Sequence, residues 1–261
     1  MAFFPLPNIN EVNGFCEVHN YPPNDWENAS AGPKYLWGIY SNGKKWITKE
    51  ICSLNVGESR RVEYKYFNLK NYKSNSPLVV LQMREKSLEK YIDELPKHEF
   101  FYTKSPEWRA TVGFKFRNSE TSYQGEINAF PQKASLLTFH PFIQYNNIEN
   151  YFVFMNLEST PMFRSSKIEI YNSNDKKLID IVDVKSNSTN IIPLDKYNIK
   201  QDQLPVFICR NMAGIPFGFG LNRSAPMLSL EHTHPPASFV VHGNRFETQK
   251  IIKTNWFNIL K

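Results

Sequence analysis

Short apolar segments that alternate with polar residues, cut every few positions by Ser, Asn, Asp, Gly or Pro, run through most of this 261-residue chain. A period of two places one side of a strand in a core and the other in water, and short links between such strands suit antiparallel sheets. Residues 35–40 and 45–48 flank Ser41-Asn42-Gly43-Lys44. Asn-Gly tolerates positive φ and is the strongest short-range hairpin signal. Val62, Tyr64 and Tyr66 alternate with polar residues, and residues 77–83, 109–116, 122–127 and 135–139 continue the series. Further strands are expected at 151–157, 167–171, 178–184, 190–193, 206–210, 216–221 and 227–232.

Two segments break this pattern. Leu88, Tyr91, Ile92 and Leu95 recur at helical spacing between Ser87 and Pro96, which predicts a short amphipathic helix over 87–95. In residues 244–260, Asn244 and Glu247 stand in capping-box relation ahead of Ile252, Trp256 and Ile259, which predicts a closing helix. The fold class is therefore mainly β: antiparallel β-sandwich or barrel modules, two packed together, with one internal and one C-terminal helix. Prolines at 5, 7, 22, 23 and 33 make 1–33 an irregular N-terminal arm. The polar connector at 144–150 divides a first β module, 34–149, from a second, 150–261.

The two halves also suggest an internal repeat. Arg117-Asn118 leads after 23 residues to His140-Pro141, and Arg210-Asn211 leads after 24 to His234-Pro235. Both stretches pass an apolar residue followed by Asn, then a proline. Duplication would align residues 58–142 with 151–236 and place a ligand site where the modules meet.

Composition excludes several classes. With 31 Lys+Arg against 25 Asp+Glu the net charge is +6, but the basic residues are interspersed with acidic ones, so nucleic acid is not an expected partner. Only 11 glycines are present, and Gly38 to Lys44, which reads G-x-x-x-x-G-K, is followed by Lys45 where a P-loop needs Ser or Thr. The hairpin explains those residues better. No GxGxxG, HExxH or GxSxG occurs. No apolar run is long enough to span a bilayer, no signal peptide is evident, and three scattered cysteines fit a reducing, cytoplasmic compartment.

The residues with most chemical potential are Glu231-His232-Thr233-His234, followed by His242. On a strand His232 and His234 share a face, and with His242 they would supply three ligands for a divalent transition metal such as zinc or iron. Glu231 would then act as acid or base. The alternative is a proline-stiffened strand end whose histidines only make structural hydrogen bonds. The His-x-His element resembles the first part of the cupin metal motif, but Ser238 and Phe239 stand where cupins carry their glutamate. That departure removes an expected ligand, and the chain is not assigned to the family.

Arg117, His140, Arg210 and Arg223 form a second candidate set, with Arg109 and Arg245 nearby in the pattern, because arginine gives two-point contacts to carboxylate or phosphate. The expected function is a soluble β-rich ligand-binding or assembly protein, for an anionic small molecule or a carbohydrate. The competing reading is a metal-dependent enzyme built on the His-x-His site.

Overall fold

The computed structural model describes residues 2–9, 11–21, 32–67, 78–83, 88–97, 109–125, 127–140, 147–200, 203–225, 227–232 and 245–260. Among them the strands are β1 (Ala2–Leu6), β2 (Asn13–His19), β3 (Lys34–Ser41), β4 (Trp46–Leu54), β5 (Ser59–Glu63), β6 (Leu78–Met83), β7 (Tyr91–Ile92), β8 (Arg109–Phe116) and β9 (Ser119–Gln124). They continue as β10 (Leu136–Phe139), β11 (Ile148–Met155), β12 (Ser165–Asn172), β13 (Leu178–Lys185), β14 (Thr189–Pro193), β15 (Pro205–Cys209), β16 (Ile215–Asn222) and β17 (Met227–His232), closed by helix α1 (Arg245–Ile259). All pairings are antiparallel and build four sheets: β1-β6-β3-β4-β7, β5-β2-β8-β9, β14-β11-β16-β17 and β10-β15-β12-β13. Mainly antiparallel β structure with a C-terminal helix is thus what the alternation predicted.

Alternate residues on each strand serve different cores, which stacks the sheets in layers. Phe4, Leu36 and Val80 face Cys16, Val62 and Val112 of the β5-β2-β8-β9 sheet. On the opposite face, Phe3, Trp37, Ile39 and Leu81 meet Val153, Met155, Ile215 and Phe217, so the second core is shared by the two halves of the chain. Phe152 and Phe154 point the other way, against Ile168, Ile170 and Phe207 of the β10-β15-β12-β13 sheet. Helix α1 covers part of that sheet's outer face through Trp256, Phe257 and Leu260. Fully burying an aliphatic or aromatic side chain is worth roughly 1.5–3 kcal/mol, so these layers supply the driving force for folding.

Four expectations need correction or refinement. The start of the chain is not an irregular arm: Ala2–Leu6 and Asn13–His19 are strands. Pro5 is accommodated because β1 is the edge of its sheet, where one row of backbone groups has no partner strand. The connection back into β2 needs Gly14, since a Cβ there would stand 1.7 Å from the Pro7 carbonyl oxygen.

No helix forms over the described part of 87–95. Lys90 and Glu89 give their carbonyls to Thr48, to its N–H at 3.1 Å and its hydroxyl at 2.7 Å, and Tyr91–Ile92 pairs with Trp46 and Ile47. Those acceptors are spent on β4 and cannot close helical turns. The Asn42-Gly43 hairpin does form, with Gly43 at φ 86° and the Asn42 side chain accepting from the N–H groups of Lys44 and Lys45.

The ordered recurrence of Arg-Asn and His-Pro is not a structural repeat. Arg117-Asn118 is the tight turn between β8 and β9 within one sheet, whereas Arg210-Asn211 leads from β15 to β16, which belong to different sheets. Residue order is similar and strand order is not. Finally, β10 precedes the 144–150 connector yet pairs with β15, so the sheet carrying α1 takes a strand from each side of that connector.

Candidate anion-binding groove

The outer face of the β10-β15-β12-β13 sheet is only partly covered by α1. Beside the helix lies an open groove of about 600 Å³, lined by Lys133, Arg164, Lys167, Glu169, Asp183 and Arg210 together with Gln132, Ser165, Ser166 and Asn211. Lys167 and Glu169 are two apart on β12 and so share a face, and Asp183 is the cross-strand partner of Lys167 on β13. Arg210 follows the last residue of β15, whose Ile208 pairs with Glu169, so sheet register alone brings the arginine to that glutamate.

Two guanidinium groups are fixed by carboxylates of the protein. Arg210 donates from Nε to Glu169 Oε1 at 2.8 Å and from Nη2 to Oε2 at 2.9 Å. The Tyr171 hydroxyl donates to the same Oε2 at 2.8 Å. Arg210 holds the Glu169 carboxyl below the usual carboxylate range, against the opposing effect of burial. Arg164 donates from Nε and Nη2 to Oε1 of Glu158, at 3.1 and 2.7 Å, and from Nη1 to the Asn211 carbonyl at 2.8 Å. Glu158 is buried, and its N–H is held in turn by the buried Asn187 side chain.

Lys133 and Lys167 are different: both are exposed, and neither makes an ion pair with a described residue. The site therefore presents two guanidinium groups already paired with carboxylates and two exposed ammonium groups that make no ion pair among the described residues, with Asp183 across the strand pair from Lys167. A small anion can displace only water from the lysines, while Ser165, Ser166 and the free edges of the guanidinium groups offer further donors. Among the described residues no aromatic ring lines the groove. Cys209 lies beneath it, fully buried, with its Sγ 3.3 Å from Ser166 Oγ, and burial pushes the thiol's pKa up. It is a packing residue in this setting.

Among the described side chains of the arginines and histidine singled out in the sequence, Arg210 alone lines the groove. Arg117 is exposed in the β8–β9 turn at φ 52°, its guanidinium 5.0 Å from the Phe116 ring centroid. Arg223, in the turn after β16, is engaged by Glu149 at 2.5 Å and by Glu11. His140 follows β10 inside the protein, 1 % exposed, edge-to-face with both Phe152 and Phe207.

Glu231 is exposed on β17 opposite Gly218. The side chain of His232 and all of His234 and His242 lie outside the described residues, as do the Arg109 and Arg245 side chains. Among the described residues no three His, Cys, Asp or Glu side chains are placed to hold a metal ion.

Sequence reasoning passed over Lys133, Arg164, Lys167, Glu169 and Asp183. Lys167-x-Glu169 on a strand did carry a signal, since alternation puts both on one face; the pairing of Glu169 with an arginine 41 residues away did not. Compared with known protein families, with curated proteins and with solved structures, the chain matches none.

Proposed function

We propose that this protein binds a small anionic molecule, phosphorylated or carboxylated, in the groove on the outer face of the β10-β15-β12-β13 sheet. The observation that carries the reading is the pairing of two unneutralised lysines, Lys133 and Lys167, with two arginines already held rigid by Glu158 and Glu169. Preorganised donors lower the ordering cost of binding, and the free ammonium groups supply the attraction. With no aromatic ring among the described lining residues, the groove suits an anionic compound, such as an acidic sugar, better than a neutral carbohydrate that binds by stacking. Three free cysteines support a reducing, cytoplasmic setting, and no described helix is long and apolar enough to cross a membrane.

The test is a calorimetric titration of the full chain with inorganic phosphate, glucose 6-phosphate, glucuronate and glucose. The anions should bind more tightly than glucose, and Lys133→Ala with Lys167→Ala should weaken them at least tenfold. Equal affinity for glucose, or unchanged anion affinity in the double variant, would show that the groove is not the site.

A further inference from the structure

Helix α1 ends at the rim of the groove, and the carbonyl of Leu260, the residue that follows it, is held by Arg210 of the groove lining. Arg210 Nη2 donates to the Leu260 carbonyl at 3.0 Å while its Nε is bound to Glu169. The Tyr171 hydroxyl reaches the same carbonyl at 3.4 Å and Glu169 Oε2 at 2.8 Å. Phe257 packs with its ring centroid 5.4 Å from the Arg210 guanidinium carbon. Trp256 meets Phe139 edge-to-face at 5.1 Å, away from the groove, whereas Lys253 donates to the Ser135 carbonyl and also lies 5.8 Å from the Phe257 ring centroid.

We infer that α1 is a latch whose docking sets the orientation of Arg210 and hence the state of the groove. Docked, the helix closes one side of Arg210, and its C-terminal carbonyl, the negative end of the helix dipole, holds the guanidinium against Glu169. Undocked, Arg210 loses both the Leu260 acceptor and the Phe257 packing surface, and it regains the freedom to turn away. The coupling is reciprocal by linkage: an anion that favours the docked Arg210 geometry must also tighten the helix on the sheet. The effect on ligand rests on reading the groove as an anion site; the coupling between α1 and Arg210 does not.

The two are separated by measuring the coupling first without ligand. In the full chain, labelled so that the Arg210 Nε–H signal and the α1 amides are followed by NMR, Trp256→Ala removes a helix contact remote from Arg210. Exchange of the α1 amides should rise at least tenfold, and exchange of the Arg210 Nε proton should rise with it by a similar factor. A released helix with an unchanged Arg210 proton would overturn the latch. Should Trp256→Ala unfold the sheet, Phe139→Ala, which removes the edge-to-face partner of Trp256 on β10, makes the same comparison. Titration with inorganic phosphate then follows: the variant should bind at least fivefold more weakly than the wild type. A wild type that binds no phosphate removes the anion reading, while the Arg210 proton still decides the latch.

Discussion

His140 lies against the backbone of Gly218, with its Nδ1 3.3 Å from the point that a Cβ on that glycine would occupy. Glycine on β16 leaves the room that lets an imidazole enter between two sheets, beside the stacked rings of Phe152 and Phe207 at 3.7 Å. Neither ring nitrogen has a hydrogen-bond partner among the described residues. The ring therefore contributes packing and no hydrogen bonds, and burial drives its pKa down to about 4.

A pH dependence follows from that position. An unfolded histidine titrates near 6.5 and His140 in the fold near 4, so between these values the unfolded chain binds the extra proton. Its contribution is complete above about pH 6.5 and is lost as pH falls toward 4, by up to roughly 3 kcal/mol. Urea unfolding should show this loss between pH 7.5 and 4.5. His140→Leu should flatten that part of the profile and leave stability at pH 7.5 unchanged or higher, because it removes a buried polar ring without leaving a partner unsatisfied. A variant with the wild-type pH slope would assign the dependence to other groups.

The buried ion pair should behave unlike the surface ones. Arg164→Ala leaves Glu158 buried with its main partner gone, and a loss of roughly 2–4 kcal/mol is expected. Lys45→Ala breaks an exposed pair with Asp93 and should cost no more than about 0.5 kcal/mol. Thermal melts of the two variants rank them directly; equal melting temperatures would contradict the assigned role of Glu158.

How legible the molecule was depended on the range of the signal. Alternation and the Asn42-Gly43 turn are local, and they gave the antiparallel sheets and a hairpin with the residues expected of it. The helical spacing of Leu88, Tyr91, Ile92 and Leu95 is local as well, but Thr48, forty residues earlier, captured the carbonyls a helix would need. Arg210 stands out by its residue type, while its meaning comes from β15 lying beside β12, which pairs Glu169 with Ile208 and so sets that carboxylate diagonally across from the arginine. Arg117 and Arg223 have the same chemistry, but sheet order places them in the β8–β9 turn and the turn after β16, and neither lines the groove. The His-Pro recurrence failed for a related reason: a few residues in order do not determine which sheet the next strand joins.

Thiol reactivity should separate the three cysteines. Cys16 and Cys209 are fully buried and Cys52 is partly exposed. Burial raises the pKa of all three, and at Cys52 the nearby Arg60 opposes it. Under native conditions an aromatic disulfide reagent should titrate Cys52 alone within minutes, and the other two only after denaturant is added. Fast reaction of two thiols, lost in Cys209→Ser, would mean that the floor beneath the groove opens readily.

The shared core makes a prediction about cooperativity. Trp46 of β4 is fully buried, donates from its indole N–H to the Ser159 carbonyl at 2.9 Å, and belongs to the same cluster as Val153, Met155 and Phe217. Leu95 N–H takes the same Ser159 carbonyl at 2.9 Å, and Phe130 N–H takes that of Leu157 at 2.7 Å, so the segment after β11 is bonded to chain from before it. Two domains joined by a loose interface would melt separately, whereas a common core should lose both halves together. Phe217→Ala removes a fully buried ring from this cluster and should cost about 3–5 kcal/mol. Calorimetry of the wild type should give one transition, and in the variant that whole transition should move down without splitting. The decisive measurement is residue-level: amide exchange in β3 and β6, remote in sequence from position 217, should accelerate in Phe217→Ala as much as exchange in β11. Protection retained in β3 and β6 while β11 exchanges freely would show that the halves unfold independently and that the shared core does not couple them.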